Sequence, residues 1–165
     1  MDQRFDLFMK VVQTFDIGYD SAFEYDSVPH QYGDEVLYQS EMHLLKAIGQ
    51  FTDITVTELA VKFKRTKSAC SQMVHKLRRK GLVEQIRNEK NLREYNLILT
   101  ERGWEIYNLH TKFERNCLKR SCSYLNDFTT EELETYIRVQ EKLNEAFKQD
   151  VEDNLEIYSK VIDLD

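Results

Sequence analysis

The stretch from Thr55 to Leu99 constrains the fold most, because two helical patterns and two strand patterns follow one another in it. Thr55 and Glu58 have the spacing of a capping box, which marks the start of a first short helix. A second helix follows after a tight turn, and its apolar residues recur at i, i+3, i+4 and i+7. They are Cys70, Met73, Val74 and Leu77. The runs LVEQIR and REYNLILT, joined by the polar turn NEKNL, then predict a hairpin.

The face of the second helix opposite its apolar stripe is polar or basic and carries no acid. Serine and glutamine side chains can bond phosphates or base edges, and lysine neutralises phosphates. The hairpin is predicted to form a wing beside this helix, with Arg93 near its tip. An arginine there can enter a narrow minor groove, where the negative potential is strongest. The predicted DNA contacts are Thr66, Lys67, Ser68, Ser71, Gln72, His75, Lys76, Arg87, Lys90 and Arg93.

Charge is distributed very unevenly along the chain. The run KLRRKG at positions 76–81 holds four cations, although the whole chain has a formal net charge of −6 and a pI of about 5.3. A solvated helix end would explain that run alone, because cations suit a helix C-terminus and Gly81 suits the position after it. However, residues 62–93 contain 11 lysines and arginines against two glutamates, which leaves 15 net negative charges elsewhere. A basic block in an acidic protein indicates a face that binds a polyanion.

Helical patterns also flank this unit. An N-terminal helix is predicted from apolar residues spaced alternately three and four apart, namely Phe5, Phe8, Val12, Phe15, Tyr19 and Ala22. The segment DSVPHQYGDE breaks the pattern and predicts a loop, after which Ser40 is the predicted N-cap of the next helix. Thr100 begins a long helix. Thr129 and Glu132 then predict a second capping box, which marks the start of the last helix.

These patterns predict a fold that is mainly α with a small β-hairpin wing, in one domain over residues 1–165. A winged helix-turn-helix region covers about residues 40–100. The helices near residues 1–25 and 129–160 are predicted to form a dimer interface, because one small winged unit cannot bury their apolar seams and a second copy can.

The sequence resembles the MarR family of bacterial winged helix-turn-helix regulators, from about Leu37 to Ala146. The similarity is most specific in VTELAVKFKRTKSACSQMVHKLRRKGLVEQ and NLREYNLILTERG. The family wing reads D-x-R-D or D-x-R-E followed by a strand and L-T-x-x-G, and NLRE and LTERG stand there in this chain. The resemblance implies a minor-groove role for Arg93, a homodimer and repression that an effector relieves. Lys64 and Arg65 replace a usual glycine and small apolar residue, and Asn91 replaces an acid.

The expected function is therefore sequence-specific binding of double-stranded, pseudo-palindromic operator DNA by a homodimeric transcription regulator. The alternative is a winged-helix protein-interaction module whose basic face meets an acidic protein. An enzyme is not expected, because the sequence has neither a phosphate-cradling glycine loop nor a nucleophile and base set. Three scattered cysteines, no signal-like N-terminus and no long apolar run indicate a cytoplasmic protein without membrane partners.

A small molecule or a metal could act as the effector. His110 and Glu114 are one helical turn apart, which suits a shared ligand, although core packing and solvation explain each residue separately. Zinc-sensing members of the MarR family use histidines in the regions where His43 and His110 stand. The resemblance thus implies a divalent metal, most plausibly zinc, at His43, His110, Glu114 and Glu41. An organic effector, or none, is the alternative.

Overall fold

A computed structural model describes residues 2–51, 53–88, 91 and 94–162. Contacts between Cα atoms divide the chain into two compact units, Met1–Arg115 and Asn116–Asp165. The elements are α1 (Gln3–Ser27), β1 (Pro29–Tyr32), β2 (Glu35–Tyr38), α2 (Gln39–Gln50), α3 (Val56–Lys62), α4 (Lys67–Arg79), β3 (Val83–Arg87), β4 (Tyr95–Leu99), α5 (Glu101–Ser123) and α6 (Thr130–Ile162). The predicted mainly α fold with a small hairpin is confirmed.

The hydrophobic core of the first unit lies among α2, α3, α4 and the β3–β4 hairpin. Each of these elements contributes apolar side chains that are almost completely buried. They include Met42, Leu45, Leu59, Val74, Leu77, Leu82 and Leu97. Because the apolar stripe of α4 is held in this core, the polar face of α4 is left on the surface.

Local hydrogen bonds fix both ends of α3. At its start, the hydroxyl of Thr55 accepts from the amide of Glu58 at 3.2 Å, and the Glu58 carboxylate accepts from the amide of Thr55 at 2.7 Å. The predicted capping box is therefore confirmed. At its end, the amide of Arg65 donates to the carbonyl of Ala60, and Lys64 adopts a left-handed φ of 49°. This is a Schellman motif with lysine in the position that glycine usually occupies.

The end of α4 and the start of α5 meet at the base of the wing. Gly81 has a φ of 70°, and the amide of Leu82 donates to the carbonyl of Leu77, so α4 also ends in a Schellman motif. The hydroxyl of Thr100 donates to the carbonyl of Gly81 at 2.6 Å and accepts from the amide of Gly103 at 2.9 Å. A Cβ on Gly103 would lie 2.1 Å from the carbonyl oxygen of Leu82. The LTERG motif thus joins α5 closely to the wing.

Two details of the segment before α2 differ from the sequence predictions. The predicted loop DSVPHQYGDE contains most of an antiparallel hairpin, β1–β2, in which His30 pairs with Leu37. Helix α2 begins at Gln39 after the N-cap Tyr38, whose amide donates to the Glu41 carboxylate at 3.0 Å. The prediction of Ser40 as N-cap is therefore wrong. The Glu41 carboxylate accepts from the N-cap amide, and the helix therefore starts two residues earlier than predicted.

Helices α1 and α6 each carry exposed apolar side chains. Helix α1 has no buried residue, and its exposed side chains include Phe5, Phe8, Phe15 and Phe23. In α6, the capping box of Thr129 and Glu132 is confirmed, and Tyr136, Ile137 and Val151 are exposed. In the part of the chain that the structure describes, no helix is long and apolar enough to cross a membrane.

Candidate nucleic-acid interface

Helix α4 presents a concave surface on the side opposite its buried stripe. The volume of this concavity is about 750 Å³. The surface combines hydroxyls, an amide, an imidazole and cations, which are the groups that bind phosphates and base edges. Its lining residues are Val56, Lys67, Ser68, Ser71, Gln72, His75, Lys76 and Arg79. The structure thus brings six of the ten predicted DNA contacts together on one surface.

Sequence reasoning missed two residues of this lining. Arg79 lies seven positions after Gln72, which is two helical turns along the same face, so helical spacing alone could have identified it. Val56 belongs to α3 rather than to α4. Nothing in the periodicity of α4 could indicate a contribution from another helix, and the sequence therefore gave no signal for Val56.

The cations of this surface are available for a partner. Lys67, Lys76 and Arg79 form no ion pair with any carboxylate in the residues that the structure describes. Lys80 differs, because its ammonium donates to the Glu35 carboxylate at 2.6 Å and to the carbonyl of Val36 at 2.6 Å. The run KLRRKG therefore divides between two roles, and its last lysine holds the β1–β2 hairpin to the end of α4.

The other four predicted contacts lie outside the concave lining. Thr66 is the N-cap of α4, and its hydroxyl accepts from the amide of Ala69 at 3.2 Å, which leaves the O–H free to donate to a phosphate. Arg87 is exposed at the end of β3. Lys90 and Arg93 lie outside the described residues.

The wing is bonded to the segment that precedes α3. Strand β4 donates from the amide of Leu97 to the carbonyl of Ile54 at 2.8 Å. The buried amide side chain of Asn96 accepts from Asn88 at 2.8 Å and donates to the Asp53 carboxylate at 3.0 Å. Strand β4 and Asn88, the residue after β3, are thereby bonded to the segment at the start of the helix-turn-helix.

The predicted metal ligands lie near the junction of α2 and α5. His110 is buried, with its Nδ1 at 3.2 Å from the hydroxyl of Tyr32. Its Nε2 has no hydrogen-bond partner among the described residues. Burial lowers the pKa of this imidazole below its usual range, and the nearby Glu114 carboxylate partly offsets that effect.

The structure does not assemble the four predicted ligands into a metal site. Both carboxylate oxygens of Glu114 accept from the ammonium of Lys46, at 2.7 and 3.0 Å, and this bond lowers the pKa of Glu114. Glu41 caps α2, and His43 is exposed on the same helix. Across residues 2–51, 53–88, 91 and 94–162, no group of three or more potential ligands could hold an ion. As arranged, the donor set does not fit zinc, because each carboxylate already has a partner.

The helix-turn-helix, the hairpin bonded to it and the cationic face of α4 define a winged helix-turn-helix protein. The family model described as "MarR family" matches residues 37–95. The chain is also 29% identical over 97 residues to the uncharacterised HTH-type transcriptional regulator YhjH of Bacillus subtilis (strain 168). That match covers 59% of this chain and 55% of YhjH, so it spans about half the length of the relative.

Solved structures share the fold. A zinc-responsive MarR family member, Lactococcus lactis ZitR, matches with a TM-score of 0.70 and 19% identity, over 86% of this chain and 99% of ZitR. Streptococcus pneumoniae FabT, crystallised in complex with DNA, matches with a TM-score of 0.60 and 21% identity, over 89% of this chain and 97% of FabT. At these identities the structural matches establish the fold. The family model further shows that residues 37–95 of the chain are similar to the MarR family.

Proposed function

We propose that the protein is a homodimeric transcription regulator that binds pseudo-palindromic double-stranded DNA in a sequence-specific manner. The observation that carries this proposal is the concave surface of α4. There, three cations that form no ion pair among the described residues lie beside hydroxyl, amide and imidazole groups. Residues outside 62–93 carry 15 net negative charges, so a polyanion is attracted to the basic region that contains this face. We propose no catalytic activity for the protein. We propose that it acts in the cytoplasm, where the chromosome lies.

The side chains of the face divide by chemistry. Lysine, arginine and the hydroxyls bind phosphates and set the position of α4 on the duplex. Gln72 is suited to adenine, whose N6 and N7 it can bond simultaneously, and His75 can bond a base edge one turn further on. Arg87, Lys90 and Arg93 are proposed to extend the contact from the wing, with Arg93 in the minor groove.

A dimer is proposed because one chain leaves apolar side chains of α1 and α6 exposed to water. These two helices belong to the segments predicted to pair. A two-fold dimer would bury them and present two α4 helices to half-sites about one helical turn apart. Sedimentation should give twice the chain mass at micromolar concentration. A monomeric mass would contradict the proposal.

The DNA-binding role is tested with a duplex that the protein itself selects from a random-sequence library. We expect Lys76→Ala to weaken binding to selected and scrambled duplexes equally and to reduce the slope of log affinity against log salt by about one unit per subunit. Gln72→Ala should weaken binding mainly to the selected duplex, by about tenfold per half-site. Lys112→Ala is the matched control, because this exposed lysine lies on α5, outside the concave surface of α4 and outside the segments proposed to pair.

The competing role is a protein-interaction module. It predicts no selected sequence and equal, weak binding to all duplexes. A sequence-selective and salt-dependent shift supports the regulator. If wild-type protein with an intact α4 shows no such shift, the regulator role is refuted and the protein-interaction role is supported.

We also propose that an effector, either an organic molecule or a metal, relieves repression. The support for a metal is the buried Nε2 of His110, although zinc there would require Glu114 to leave Lys46. Chelator-treated protein is titrated with zinc while duplex affinity is measured, with His43→Ala and His110→Ala as variants. Stoichiometric binding lost in both variants supports the metal. No binding, or binding that both retain, supports an organic effector.

A further inference from the structure

Val56 has an unusual position for an apolar residue, because it lines the polar concave surface of α4. Among the described residues of that lining it is the single apolar side chain, and the others are serines, lysines, Gln72, His75 and Arg79. It stands at the first position of α3, directly after the N-cap Thr55. Val56 therefore reaches the surface from a second helix and does not merely continue the face of α4.

The Val56 side chain is held in a fixed orientation. It is partly buried and packs against the hydrophobic core, while its remaining surface faces the concave lining. A β-branched side chain has one strongly preferred rotamer in a helix, so little freedom is lost when it contacts a ligand. A pre-positioned apolar group is therefore available at the proposed DNA surface.

We infer that Val56 is a specificity-determining residue that contacts the C5 methyl group of a thymine in each half-site; this rests on the proposed DNA binding. The thymine methyl is the one apolar group that a base pair displays in the major groove. Gln72 on the same surface has the amide that suits adenine. Together the two side chains favour one A·T pair, or two adjacent ones, in each half-site.

Replacing thymine by uracil removes this methyl and leaves the base-pair hydrogen bonds unchanged. Burying one methyl group corresponds to about a fourfold change in affinity per half-site. The duplex selected from the random library is therefore prepared with uracil at each thymine in turn, symmetrically in both half-sites. Wild-type protein should bind one such duplex about fifteenfold more weakly than the selected duplex, as two fourfold effects multiply.

Two variants assign the effect to Val56. Val56→Ala should bind the thymine and uracil duplexes with equal affinity, while its affinity for a scrambled duplex stays that of wild type. Val61→Ala is the matched control, since Val61 is 76% exposed on the same helix and does not line the concave surface. It should keep the full preference for thymine. Val56→Ser, which removes both methyl groups of the side chain, serves if the alanine variant does not fold, and it should also abolish that preference.

Three results would overturn the inference. The first is a selected duplex in which no uracil replacement weakens wild-type binding, a result that needs no variant. The second is a thymine preference that Val56→Ala or Val56→Ser retains in full. The third is a thymine preference that Val61→Ala also loses. These results leave the DNA-binding proposal intact. If wild-type protein selects no sequence at all, the proposed function fails and the inference fails with it.

Discussion

Lys64 is held in a left-handed conformation, and we expect its replacement by glycine to stabilise the protein. Its φ is 49°, at the position of the Schellman motif that ends α3. An L-residue in this conformation costs about 1–2 kcal/mol relative to glycine. Glycine loses more conformational entropy on folding, which offsets about 0.5–1 kcal/mol of that difference. The net expectation for Lys64→Gly is a free energy of unfolding raised by about 0.5–1 kcal/mol.

Urea unfolding at a fixed protomer concentration measures this change, because dimer stability depends on concentration. With a slope of about 2 kcal/mol per molar urea, the midpoint should rise by about 0.3–0.5 M without a change in slope. Lys64→Ala is the control, since it removes the charge and keeps a side chain in the left-handed conformation. A rise of equal size in Lys64→Ala, or no rise in Lys64→Gly, would refute the reasoning from backbone strain.

Three further outcomes follow from the contacts described above. Gly103→Ala should lower the free energy of unfolding by about 1–3 kcal/mol, because its Cβ would lie 2.1 Å from the carbonyl oxygen of Leu82. Urea unfolding measures this change, and an unchanged urea midpoint would contradict the close approach. Burial lowers the folded-state pKa of His110, so the free energy of unfolding of chelator-treated protein should fall as the pH drops below about 6.5. His110→Gln should flatten that pH dependence. Equal slopes of unfolding free energy against pH in wild type and His110→Gln would contradict this expectation. Thr55→Ala should lower the free energy of unfolding by about 1 kcal/mol through loss of the α3 cap, and a value within about 0.2 kcal/mol of wild type would argue against the capping box.

Features that depend on neighbouring residues were predictable from the sequence. The capping boxes at Thr55 and Thr129, the helix end at Gly81 and the cap at Thr100 each rest on residues a few positions apart. The face of α4 was predictable for the same reason, because helical spacing alone decides which side chains share it.

Features that depend on distant residues were not predictable. Pro29 and Gly33 are typical of a loop, whereas their segment forms most of the β1–β2 hairpin. Tyr32 of this hairpin packs edge-on against Phe113 and His110, which lie on the distant helix α5. The partner of Glu114, one of the predicted metal ligands, was not predictable either. The ion pair of Lys46 with Glu114 joins residues 68 positions apart, and no local pattern indicates it.

The most direct test of the central claim is the ratio of affinities for the selected duplex and for a scrambled duplex of the same composition, at one fixed salt concentration near physiological. Specific regulators bind their sites at least about a thousandfold more tightly than other DNA. We predict a ratio of this size for wild-type protein. For Gln72→Ala we predict a ratio lower by about two orders of magnitude, because the glutamine contact is lost in both half-sites. A wild-type ratio near one would contradict it.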